Sequence, residues 1–242
     1  MKRLLIILTI LAPLTLKAQD DSMAVQIVDR YLSLLNIEAL PHDSMMVMTT
    51  IITYPGTTDT FTMKRYYAYP QMFRVDIFRP DGSRQTGLYS DGQQFYRFYE
   101  PKRRLWGNMT RETFYNQLAG LDFRGPLYQW RNMAMELSYQ GKASVKGEQL
   151  DVVKVTAPGS YTRTYMFQET GMLAVILESD ETDTTYRVHK DMHIDWKCIH
   201  EYQRIGNTIL PSLESFARNN QLTVLRSEWH LEARNKKIFS DD

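Results

Sequence analysis

Histidine, cysteine and clustered carboxylates are the side chains of this sequence most suited to bond-making or metal chemistry. His189, His193, Asp195 and His200 lie close together along the chain. On a helix His189 and His193 would be neighbours. On a strand they would stand about 13 Å apart, too far to share one ion. His200-Glu201 opens like a His-Glu-x-x-His zinc motif, but Arg204 occupies the place of the second ligand, so no metal site is expected. Asp180, Glu181 and Asp183 imitate a carboxylate pair, yet they sit among threonines between strand-like runs and read as a solvated hairpin tip. There is no Gly-x-Ser-x-Gly elbow, no Ser-x-x-Lys pair and no phosphate-binding glycine loop. The single cysteine, Cys198, excludes an intramolecular disulfide and reads as a small apolar strand residue. Lys102-Arg103-Arg104, after Pro101, reads as a loop, with contact to lipid headgroups or to an acidic partner as its alternative role. The residues argue against an enzyme and imply no cofactor.

The chain's beginning specifies an address. Lys2 and Arg3 precede an apolar run from Leu4 to Leu16, broken only by Thr9 and Thr15. This is the length of a signal-peptide core and well short of the roughly 20 apolar residues that span a bilayer. Ala18 and Gln19 lead into Asp20 and Asp21, so residues 1–19 are expected to be removed on export. Cysteine does not follow the cleavage position, so the exported protein is expected to be soluble in the periplasm and not lipid-anchored. A formal net charge of +1 over 29 basic and 28 acidic residues gives no basic field for a nucleic-acid partner.

The remaining residues, 20–242, read as one domain that is mainly β with some helix. Ala24, Ile27, Val28, Tyr31, Leu34 and Leu35 recur with helical spacing. The period then changes to two. Met45–Tyr54, Thr60–Ala68, Met72–Phe78, Arg84–Ser90 and Gln94–Tyr99 are β-branched and aromatic runs. Pro55-Gly56, Pro70, Pro80-Asp81-Gly82 and Asp91-Gly92 separate them, and connections this short join only antiparallel neighbours. Thr110 opens a second helix carrying Phe114, Leu118 and Leu121, and Pro126 opens a third with Leu127, Trp130 and Met133. Strand runs resume at Met135–Gln140, Glu148–Ala157, Tyr161–Phe167, Met172–Ser179, Trp196–Ile205, Ile209–Ala217 and Gln221–His230. About 11 strands favour a curled antiparallel sheet or unclosed β-barrel, with the helices covering the concave face. Met45-Met-Val-Met48 and Met72-Phe-Arg-Val75 are apolar on both strand faces, which suits a site for flexible apolar ligands or a plain two-layer core.

With the elements in this order, the chain resembles the outer-membrane lipoprotein-sorting family, relatives of the periplasmic lipoprotein carrier LolA, in a divergent branch. The resemblance runs from about Val25 to Phe239. It rests on the helix Val25–Leu35 followed by Met45–Ile52, and on Tyr69-Pro-Gln-Met-Phe-Arg-Val-Asp-Ile, similar to a "Pro-x-x-Phe-Arg" strand. Tyr89-Ser-Asp-Gly-Gln-Gln-Phe-Tyr, Leu121-Asp-Phe-Arg-Gly-Pro-Leu and Gly206-Asn-Thr-Ile-Leu-Pro complete the set. The resemblance implies an unclosed barrel with helices across its mouth and a cavity that shields acyl chains. On that footing a carrier or chaperone for the acyl chains of lipoproteins or another lipid is expected. Met46, Met48, Met63, Phe73, Val75 and Ile77 are expected to line its cavity, with Ile27, Tyr31, Phe114, Leu118 and Trp130 closing it. The alternative is an envelope protein-interaction or sensor module of the same fold without a ligand.

Overall fold

A computed structural model describes residues 22–54, 56, 58–69, 72–90, 95–99, 102–105, 125–157, 161–179, 196–218 and 221–239. Helix α1 covers residues 22–35. Six strands follow: β1 (Ser44–Thr53), β2 (Thr60–Ala68), β3 (Met72–Phe78), β4 (Arg84–Ser90), β5 (Phe95–Tyr99) and β6 (Lys102–Leu105). After them come β7 (Glu136–Val145), β8 (Glu148–Ala157), β9 (Tyr161–Phe167) and β10 (Leu173–Ser179). The chain finishes with β11 (Trp196–Ile205), β12 (Thr208–Arg218), β13 (Gln221–Ala233) and a 3-10 turn, Lys236–Phe239. The fold is thus mainly antiparallel β, as expected, with thirteen strands described instead of about eleven.

The chain groups into two compact units, one drawn from Met1–Leu34 and Trp130–His193, the other from Leu35–Gln129 and Ile194–Asp242. In the first, β7, β8, β9 and β10 pair in sequence as an antiparallel meander. Helix α1 buries Ala24, Val28 and Tyr31 at helical spacing, and the ring of Tyr31 meets Phe167 of β9 edge-on, 5.6 Å between centroids. Strand β7 outruns its expected end at Gln140. A register shift at Gly141, held at φ +92°, absorbs one residue as a bulge and lets pairing continue to Val145.

In the second unit the order is β6-β5-β4-β3-β2-β1-β13-β12-β11, each pair antiparallel. Strand β1 is buried on both sides, which its run of Met and Val requires. Met45 and Val47 face one way and pack with Ala68 and with Phe239 from the C-terminal turn. Met46 and Met48 face the other way. Asp76 fixes the C-terminal turn indirectly: it holds Arg74 at 2.7 Å, and Arg74 donates to the Ile238 carbonyl at 3.1 Å. The sheet is locally interrupted near Pro211, where the β12–β13 pairing runs no further than Leu213. Pro211 on β12 has no N–H to give, and the side chain of Gln203 on β11 takes over. Its amide accepts from Trp229 N–H and donates to Trp229 C=O, both at 3.2 Å, while the indole Nε1 of Trp229 donates to the Pro211 carbonyl at 2.7 Å.

Two expectations need correction. Lys102-Arg103-Arg104 is not a loop: it forms β6, paired to β5 through Arg97↔Arg104 and Phe98↔Arg103. The basic run masked its strand character, because β pairing here is set by the hairpin partner and not by the run's own propensity. Pro126 opens no amphipathic α-helix. It opens a 3-10 turn, Pro126–Gln129, and the chain then turns so that Met135 N–H donates to the Trp130 carbonyl at 2.9 Å. The helix expected at Thr110–Leu121, together with His189, His193, Asp195 and the acidic group Asp180–Asp183, lies outside the described residues.

Candidate functional site

The strand register of the second unit decides which side chains share a surface. Side chains alternate across a strand, so one row of partners fixes a whole face. Met48 pairs with Trp229 on one side and Arg65 on the other, and Arg65 pairs with Val75. The neighbouring rows are Leu231–Met46–Tyr67–Phe73 and Ser227–Thr50–Met63–Ile77. Met46, Met48, Met63, Phe73, Val75 and Ile77 therefore lie together on one face of three adjacent strands. Met46, Met48, Phe73 and Val75 are buried there, at 1–5% exposure, and Met63 and Ile77 are partly buried.

The other expected site residues are placed differently. Ile27, Tyr31 and Trp130 belong to the first unit. Tyr31 is buried against Phe167, Ile27 is partly buried at the margin of the α1 stripe, and Trp130 lies under the guanidinium of Arg131 at 4.2 Å. Phe114 and Leu118 lie outside the described residues.

The Met48 face also carries polar groups that were not singled out in the sequence. Thr50 and Ser227 are buried opposite each other and share a hydrogen bond of 2.9 Å, so neither hydroxyl is left unsatisfied. Glu214 is buried at one side of the face, where Lys197 holds it at 2.5 Å. Arg65 sits between Met48 and Val75, and its Nε is shielded from solvent with no hydrogen-bond partner. Burial pushes the guanidinium down to about 10, although the carboxylate of Glu214 acts in the opposite direction. The signal for Arg65 was available: Phe61, Met63, Arg65 and Tyr67 alternate in phase along β2, so an inward Met63 brings Arg65 inward too. At the end of the face, a pocket of about 40 Å³ is lined by Ile37, Pro41, His42, Met46, Tyr67 and Leu231 among others. It has room for a water molecule but not for an acyl chain. His42 and Tyr69 stack at its rim with centroids 3.9 Å apart.

What this arrangement can do is chemically narrow. Among the described residues no group of three or more His, Cys, Asp or Glu side chains is placed to hold a metal. His200, the one member of the histidine cluster described, lies on β11 with Nε2 2.7 Å from Ser215 Oγ. Among the described residues the face is apolar over most of its area, interrupted by the Thr50–Ser227 pair, the Lys197–Glu214 pair and an arginine whose Nε has no hydrogen-bond partner.

No family model matches the sequence, and no curated protein matches it either. Solved structures do. A DUF1329 family protein from Desulfovibrio piger is 11% identical with a TM-score of 0.59, over 92% of this chain and 98% of that one. A LolA superfamily protein from Nitrosomonas europaea is 13% identical with a TM-score of 0.58, over 90% and 98%. An outer membrane lipoprotein-sorting protein domain from Vibrio parahaemolyticus is 7% identical with a TM-score of 0.58, over 91% and 97%. At these identities the likeness is one of fold, and the fold of this chain is that of the LolA superfamily and the lipoprotein-sorting domains, in a divergent sequence.

Proposed function

We propose that the protein is exported to the periplasm and binds acyl chains, of lipoproteins or of another lipid, on the Met48 face. The observation that supports this reading is the shared face itself. Six apolar side chains from three adjacent strands gather on one side of a sheet whose other side already has its core, built with Phe239. Moving a lipid through water is opposed by about 0.8 kcal/mol for each CH₂ exposed, and an apolar protein surface removes that cost without any bond being made or broken. Met46, Met48 and Met63 suit such a surface because unbranched thioether side chains re-pack around chains of different shape. The pocket described at the end of the face, about 40 Å³, is too small for an acyl chain, so a chain that enters there requires its lining residues, such as Met46 and Tyr67, to move.

A titration with an apolar fluorescent probe, alongside native mass spectrometry of gently purified protein, tests the reading. Met63→Glu places a carboxylate on the proposed surface and should weaken probe binding tenfold or more, because an unpaired charge is costly beside an acyl chain. Ile51→Glu is the control, since Ile51 lies on the opposite face at 39% exposure and should leave binding unchanged. Wild-type protein that carries no lipid and takes up no probe would reject the carrier reading in favour of a protein-interaction module.

A further inference from the structure

Arg65 is the least explained residue of the Met48 face. Its cross-strand neighbours are Met48 and Val75, and Met63 and Tyr67 flank it along β2, so its surroundings are apolar and aromatic. Among the described residues it has neither a hydrogen bond nor an ion pair, and its Nε is withdrawn from solvent. Glu214, the carboxylate that acts on it, is committed to Lys197 at 2.5 Å. Arg65 and Lys197 are cationic and Glu214 anionic, so this local group of three carries one positive charge in excess. By backbone register the same row continues through Leu88 on β4 to Arg97 on β5 and Arg104 on β6. A guanidinium whose Nε is shielded from solvent in apolar surroundings, with no anion bonded to it among the described residues, is unfavourable in general and is relieved where a ligand supplies that anion.

We infer that Arg65 is the recognition point for the anionic head of a single amphiphile whose acyl chain lies on the Met48 face. This rests on the acyl-chain reading above and adds a head-group class to it. A guanidinium presents parallel N–H donors that match the two oxygens of a carboxylate or phosphate, and in an apolar setting such a charge-assisted pair is strong. The Met side chains then accommodate the chain while Arg65 fixes its polar end. A neutral lipid of the same length fills the surface but leaves the guanidinium unpaired.

Equilibrium dialysis of the mature protein with hexadecanoate, hexadecanol and hexadecyl phosphate, each below its aggregation concentration, tests the inference. The wild type should hold at least one of the two anions tenfold or more tighter than hexadecanol, the scale set by a hydrogen bond to a charged group. Which anion is favoured distinguishes a carboxylate source from a phosphate source. Arg65→Gln should bring anion and alcohol to equal affinity while leaving the alcohol unchanged. Arg65→Met, which removes the unpaired charge outright, should melt at a higher temperature than the unliganded wild type, and an excess of the favoured anion should erase that difference. Equal binding of all three amphiphiles to the wild type, or discrimination that survives in Arg65→Gln, would overturn the head-group inference and leave the acyl-chain reading standing. Failure of all three to bind would overturn both.

Discussion

Tyr66 lies on the Met45 side of β2, opposite Arg74 of β3. Burial raises its phenol above the ordinary value, the carboxylate of Asp76 adds to the shift, and the guanidinium of Arg74 opposes it. A folded-state value raised above the unfolded one means that the folded protein keeps its proton longer as pH rises. The associated stability is complete below the unfolded value of about 10 and is lost as pH climbs through the folded value. Unfolding followed by urea between pH 9 and 11 should therefore show a falling midpoint, and Tyr66→Phe should flatten that fall while changing little at pH 7. An alkaline limb of equal slope in both proteins would mean that Tyr66 is not the group responsible. Asp81 behaves in the opposite sense at a different place. The side-chain and backbone donors of Ser83 hold its carboxylate below the usual range, at 2.6 and 2.8 Å, in the exposed turn between β3 and β4.

At the scale of elements, the packing of α1 onto the β9–β10 hairpin depends on a residue without a side chain. Gly171 has a φ of +93°, and a Cβ there would come within 2.9 Å of Arg30 Nε and 3.0 Å of Leu34 Cδ1. Gly171→Val therefore combines a disfavoured backbone conformation with a collision against the helix. It should destabilise by about 2–3 kcal/mol in chemical denaturation. Gly141→Ala isolates the backbone part, because its φ is +92° but no atom lies within 4 Å of the added carbon. A cost of about 1 kcal/mol is expected for it. Equal losses at the two positions would show that α1 does not rest on the hairpin. The sequence made α1 legible through its stripe, and made β2, β3, β4, β8, β9 and β11 legible to the residue through alternation and turn chemistry. It hid β6, whose basic residues gain their strand geometry only from β5, and it hid the continuation of β7, because Gly141 looks like an end when read alone and like a bulge when its partner strand is known.

For the whole molecule, the open meander was readable because short turns permit only antiparallel neighbours. The return of β13 to pair with β1 was not, since nothing local in Ser44–Thr53 or Gln221–Ala233 specifies a partner so far along the chain. The same limit applied to the candidate site. The phase of each strand placed Met46, Met48, Met63, Phe73, Val75 and Ile77 on a common side, but the buried pair Thr50–Ser227 and the ion pair Lys197–Glu214 appear only when distant strands are brought together. Address belongs to this scale too. None of the described helices is long and apolar enough to cross a membrane. The proposal that residues 1–19 are a cleaved leader predicts that the protein accumulates in the periplasmic fraction with a mature terminus near Gln19 or Asp20 by intact-mass measurement. Recovery in washed membranes with Met1 retained would refute the export proposal.

The repair at Pro211 has a consequence for which letters the chain can carry. Trp229 needs one acceptor for its N–H and one donor for its C=O, and Gln203 supplies both from a single planar group. Glutamate at that position offers the acceptor but no donor, leucine offers neither, and asparagine is one methylene short of the reach. Gln203 and Pro211 form a two-letter word written on different strands. The proline deletes a backbone donor, and the glutamine spells a replacement in side-chain atoms, so a change to either letter alters what the other means.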